Sequence, residues 1–218
     1  MVRLVTPNER NVAVTANATD DPTTALLMLD YEVALCLPGP HLKMPPLEAQ
    51  ISQRGTLAAA ERVLTAARAS GGKVVHVRLA FDETYSNRTN RHPRFDPYED
   101  NRLMLQGSPE AAFVPQLSPV AGETVVQKGC VDPFVGTQLT EVLLHAGVQR
   151  VVLGGVASNL VVESTARTAC DKGFEVVVVE DMCASFDPEL HRMSFERLMP
   201  MFGRVTTADD VIREVFGG

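Results

Sequence analysis

Three places in this chain combine residue types that could do chemistry. Asp30 follows the apolar run ALLML, Lys128 closes TVVQK, and the small-residue turn GGVASN (154–159) follows RVVL. A carboxyl at the lip of an apolar strand is pushed towards its neutral form by desolvation and towards its charged form by a nearby ammonium, which Lys128 could supply. The first turn of a helix after the 154–159 turn offers unpaired N–H groups and a positive dipole end, a setting that favours a thiolate or an oxyanion. A Cys at position 161 would complete a set of nucleophile, base and electrostatic partner. The residue there is Val161, which cannot attack anything. The plainer alternative is that Asp30 caps a turn and Lys128 faces solvent.

Positioning these residues requires strands. Five runs, 24–30, 73–81, 124–128, 150–155 and 174–181, are rich in Val and Leu without polar alternation, as in parallel strands covered on both faces; a weaker sixth lies at 204–208. Helical patterns fall between them. One starts at Ile51 and stops at Gly71 and Gly72, a second spans 137–148, and a third spans 158–173 with Ser158 or Asn159 as N-cap. A last helix starts near Asp209. The alternation predicts an α/β three-layer sandwich around a mainly parallel, doubly wound sheet of about six strands. In such sheets ligands bind beyond the carboxyl ends of the strands, where Asp30, Lys128 and the 154–159 turn all fall.

Two long connections, 36–50 and 82–119, are expected to wall the pocket. The second carries Arg88, Arg91, His92, Arg94 and Arg102, which would attract an anionic substrate, although a solvated loop has the same composition. Tyr85, Phe95, Tyr98, Phe113 and Phe134 offer aromatic wall. Residues 1–22 lack periodicity and are expected to form an N-terminal arm ahead of one domain at 23–218.

A net charge of −7 over 218 residues gives no electrostatic footprint for nucleic acid or an anionic membrane, so a small-molecule partner is expected. The start lacks a signal-like apolar run, which points to the cytoplasm. Cys36, Cys130, Cys170 and Cys183 are far apart and read as reduced thiols, and His41 and His76 are isolated, so neither a metal nor another cofactor is expected. Cys130, two residues beyond Lys128, is the one thiol that could replace the missing nucleophile.

DYEVALC after ALLML, the Lys of VVQKGCVDPFVGTQL, and GGVASNLVVESTARTACDKGFEVVVVEDMCAS resemble, in order, the signature blocks of the isochorismatase-like, or cysteine hydrolase, superfamily. The resemblance implies a Rossmann-like fold, Asp30 and Lys128 as catalytic pair, and a substrate-binding turn through Gly155, Val156, Ala157, Ser158 and Asn159. It also implies a cis peptide between Val156 and Ala157, and a dimer or tetramer. Amide-cleaving members carry Cys where this chain has Val161, whereas isochorismatases proper lack it and use a carboxylic acid with water. Glu32 stands where many relatives have Gln and adds a second carboxyl near Asp30; its bland role would be to face solvent.

Three functions follow. The first is a hydrolase acting on a small anionic metabolite without a covalent intermediate, with Asp30 as general acid or base, Lys128 as its charge partner, and Glu32 and Phe134 among the substrate-binding residues. The second is a C–N amidohydrolase whose Cys has become Val161. The third is a non-catalytic ligand-binding homologue.

Overall fold

The computed structural model describes residues 23–217, and the arm expected at 1–22 lies outside the described residues. In chain order the elements are β1 (Thr24–Leu29), α1 (Val33–Cys36), α2 (Pro45–Arg54), α3 (Thr56–Ala69), β2 (Lys73–Leu79), α4 (Asp96–Asp100), β3 (Thr124–Lys128) and α5 (Leu139–His145). They continue with β4 (Arg150–Gly155), α6 (Glu163–Asp171), β5 (Glu175–Val179), α7 (Pro188–Met193), β6 (Arg204–Thr206) and α8 (Ala208–Val211). The six strands pair in parallel in the order β3-β2-β1-β4-β5-β6. The order reverses between β1 and β4, so a crevice opens at their carboxyl ends.

Each strand feeds two cores because side chains alternate across the sheet. Leu26 and Met28 of β1 pack with Ile51 of α2, Ala60, Val63 and Leu64 of α3, and Phe216. Leu27 and Leu29 pack on the other face with Leu139 and Leu143 of α5 and Ala166 and Ala169 of α6. A third cluster, with Phe81, Tyr85, Met104 and Ala111, lies under the 82–119 segment. That segment is ordered by its own contacts: the buried Arg88 guanidinium binds Glu99 at 2.9 Å and also Asp96.

Local structure departs from the sequence expectations in several places, the short helices α1 and α4 and the start of α2 at Pro45 among them. The helix expected from Ile51 is two helices, divided at Gly55, whose φ of 67° suits a residue without Cβ. Neither Ser158 nor Asn159 caps the third helix. Ala157 holds the extended cap position, and the chain enters a π-helical segment, Ser158–Val162, before α6. The two polar side chains are committed elsewhere: Ser158 Oγ lies 2.7 Å from His191 Nδ1, and Asn159 Oδ1 accepts from Ser185 Oγ at 2.6 Å. Finally, α7 was not anticipated although its signal is present, Asp187 as N-cap accepting from the Glu189 and Leu190 N–H groups and Pro188 in the first turn.

β4 can lie against β1 at the crevice only because position 155 has no side chain. A Cβ on Gly155 would meet the Leu29 carbonyl oxygen at 2.3 Å and Leu29 Cβ at 2.5 Å. Gly155→Ala is therefore expected to lower stability by about 1–3 kcal/mol, the usual range for overpacking, in denaturant unfolding followed by circular dichroism.

Candidate active site

β1 ends because Asp30 takes a left-handed conformation, φ 57°, which Asp tolerates better than most residues. Its N–H still reaches the Val77 carbonyl at 3.0 Å. Tyr31 anchors the bend from the opposite side, its hydroxyl donating to Met182 O at 2.6 Å. Lys128 comes from β3, two strands away. Parallel strands lie about 4.8 Å apart, so only a long side chain can span β2 and reach the end of β1. Lys128 does so, placing Nζ 2.8 Å from Asp30 Oδ2, and donates also to the Cys130 carbonyl at 2.9 Å.

Both partners are buried, Lys128 with 2% and Asp30 with 7% of its side chain exposed. Burial raises the Asp30 pKa, and the charge and hydrogen bond of Lys128 pull it part of the way back; the net direction is up. Asp30 Oδ1 has no hydrogen-bond partner among the described residues.

The pair forms the floor of a cavity of about 260 Å³, the scale of a small metabolite. Val156, Ala157, Leu160 and Val161 form one wall. The 36–50 segment adds Lys43, Met44 and Leu47, and the 82–119 segment adds Asn90, Arg94, Phe95 and Tyr98, so both long connections do wall the pocket. The peptide bond between Val156 and Ala157 is cis.

Of the residues singled out in the sequence, Asp30, Lys128, Val156, Ala157 and Val161 meet around this cavity. Gly155, Ser158 and Asn159 stand behind its wall as buried or half-buried supports. Phe134 belongs to the core of the other sheet face, its N–H donating to Asp132 Oδ1 at 2.8 Å. Glu32 neither faces solvent nor lines the cavity. It is fully buried behind the pair, with Oε1 accepting the Leu79 N–H at 2.6 Å.

Among the basic residues of the long loop, Arg94 lines the cavity and has no carboxylate partner among the described residues, its guanidinium standing 5.3 Å from the Phe95 ring centre. Lys43 is paired with Glu110 at 2.7 Å. Cys130 also lines the cavity, but its S–H is engaged with the carbonyls of Asp132 and Val135. The four cysteines are free. His76 is a buried imidazole held by Glu123 at 2.8 Å. Among the described residues no group of three His, Cys, Asp or Glu could hold a metal ion, and no helix is long and apolar enough to cross a membrane. Leu35 of α1 and Phe186 beyond β5 also form cavity wall and were not singled out in the sequence, since isolated apolar residues carry no periodic signal.

The family model described as the isochorismatase domain matches residues 24–210. The chain is 27% identical to a ureidoacrylate amidohydrolase of Rhizobium rhizogenes, over 94% of this chain and 90% of that protein. It is 28% identical to a maleamate amidohydrolase of Pseudomonas putida, over 88% and 86%. Among solved structures it resembles an isochorismatase family protein from Desulfovibrio vulgaris, at 26% identity and a TM-score of 0.77 over 89% of this chain and 100% of that one. A cysteine hydrolase from Pseudomonas syringae aligns at 25% identity and a TM-score of 0.76, over 88% and 91%.

Removing the ammonium leaves a buried carboxylate unpaired. Lys128→Met is expected to destabilise the protein by about 3–5 kcal/mol at neutral pH. The loss should shrink on acidification, because Asp30 can then take up a proton and become neutral. Thermal melts at pH values above and below the carboxyl range check both parts.

Proposed function

The chain belongs to the isochorismatase family and is a hydrolase, and from that premise we propose that it hydrolyses a small anionic metabolite without a covalent enzyme intermediate. Asp30 is its general acid and base, and Lys128 is the charge partner of Asp30. The observation that carries this reading is the half-satisfied Asp30 carboxyl: Oδ2 is held by Lys128, while Oδ1 is buried, without a hydrogen-bond partner among the described residues, and part of a group that lines the cavity. Desolvation keeps its proton affinity above that of a free carboxyl, as proton transfer near neutral pH requires.

The cycle uses only groups of this site. Asp30 donates a proton to the leaving atom as its bond to carbon breaks, and Lys128 balances the carboxylate that forms. Water adds to the same carbon, and the proton it releases returns to Asp30. The Val156–Ala157 backbone and Val161 hold the reacting carbon against the pair.

Arg94 supplies the preference for an anion, being a cation at the cavity wall with no carboxylate partner among the described residues. The buried Asn90 Oδ1, also without a partner among the described residues, accepts an N–H or O–H from the substrate. Asp30→Asn is expected to abolish turnover while binding persists. Arg94→Ala should raise KM for a carboxylate substrate by about tenfold or more, with kcat little changed, as for loss of a charge-assisted hydrogen bond. Retained turnover in Asp30→Asn would overturn this reading.

A second reading is favoured by the amidohydrolase relatives. Here the fold is that of a C–N hydrolase in which Val161 occupies the nucleophile position, and Val161→Cys places a thiol in the cavity wall beside Asp30. If this reading holds, Val161→Cys gains activity on a panel of amides, ureides and carbamoyl compounds, with a covalent adduct visible by mass spectrometry. If the first holds, the variant gains none.

A further inference from the structure

Behind the Asp30–Lys128 pair the protein buries a second carboxyl. Glu32, in the turn after β1, is fully buried, and its Oε2 has no hydrogen-bond partner among the described residues, as is also true of Asp30 Oδ1. Glu32 Oε1 is held by the Leu79 N–H at the end of β2. The orphaned oxygens therefore come one from each carboxyl. Among the described residues only one ammonium is in ion-pair contact with either, Lys128, and it contacts Asp30.

We propose that Asp30 and Glu32 hold one proton between them at neutral pH, so that the site is an electroneutral cluster of two carboxyls, one proton and one ammonium, and Glu32 is the positioning residue that keeps Asp30 supplied as a general acid. This rests on Asp30 being the acid–base group. The physical ground is the cost of net charge in a dry interior: two carboxylates against one ammonium leave an uncompensated buried charge, which a single proton removes. Like-charge carboxyls in one site titrate as a pair, so the proton belongs to both.

Two further cations line the same cavity, but Lys43 is paired with Glu110, and among the described residues Arg94 makes no ion pair with either carboxyl. Cys36 of α1 and Tyr98 of α4 both sense the two carboxyls, and both are acids pushed upward, Tyr98 to about 12. Glu32 itself lies well above the usual carboxylate range, through burial first and the Asp30 charge second, with Lys128 opposing. Donation of the shared proton through Asp30 leaves two carboxylates and one ammonium, and the proton released by the attacking water restores the pair.

Infrared spectroscopy of the whole protein, carrying 13C-labelled Asp and Glu carboxyls, tests this at neutral pH. The expected result is one protonated-carboxyl C=O band in the wild type, lost in Glu32→Gln and lost equally in Asp30→Asn, because the remaining carboxyl then ionises to balance Lys128. The alkaline limb of the pH–rate profile should move down by about one unit or more in Glu32→Gln, since Asp30 no longer shares its proton with a second carboxyl. The Gln side chain can still accept from Leu79, so the fold is kept. A band that survives in Asp30→Asn means that burial alone protonates Glu32 and overturns the proposal, as does a wild type without the band or a Glu32→Gln profile that does not move. An active Asp30→Asn enzyme would sink the assignment of Asp30 instead, whatever the spectra show.

Discussion

A salt bridge that spans a strand holds this site together. Lys128 reaches over the end of β2 to Asp30, and the contact at 2.8 Å ties the edge strand β3 to the central strand β1 where the sheet changes direction. Taking both charges out of water costs several kcal/mol per ion, so the pair adds little to stability compared with an apolar replacement. What it provides is a carboxyl in a fixed place with one oxygen held and the other unpartnered. The rest of the molecule serves that arrangement: the Gly155 contact that lets β4 lie against β1, the Tyr31 anchor, and the two long connections that keep solvent from the floor of the cavity.

With Val161 in its wall, the cavity is lined largely by aliphatic and aromatic side chains around one buried ion pair. At position 161 the cavity wall presents a β-branched hydrocarbon, fully buried and packed in the core of one sheet face. In the proposed reaction, reactivity rests with Asp30 and with the charge balance around it. Glu32 enters at that point, because a second buried carboxyl changes how many protons the site holds. The proton affinity of buried carboxyls is set by desolvation, which the cavity wall maintains.

Much of the scaffold could be read from local composition. Buried parallel strands are contiguous apolar runs, so β3 and β4 agree with their expected bounds to the residue, and β1, β2, β5 and β6 differ only at their ends. The Gly55 break was less visible, since one glycine in a helical pattern is compatible with a continuous helix until packing selects the left-handed conformation. Phe134 was expected at the pocket as aromatic wall, but the chain turns at Asp132 and carries the ring away from the cavity, against the core that α5 and α6 cover. Glu32 was legible as a second carboxyl near Asp30, but its burial was not: Glu is usually exposed, and only the closure of β1 against β2 and the overlying segment removes it from water.

By itself, the sequence determined which atoms are available: a carboxyl after β1, a second two residues on, an ammonium at the end of β3, and no sulfur at position 161. No packing arrangement can supply an atom the chain lacks. The tertiary structure alone decided which of those atoms meet, that Lys128 crosses a strand to reach Asp30, that Glu32 turns inward and that Arg94 stands at the wall while Arg88 is consumed by its own loop. The reason is that a residue's charge follows from its type, whereas its neighbours and its dielectric surroundings follow from strand order and from the path of connections distant in sequence.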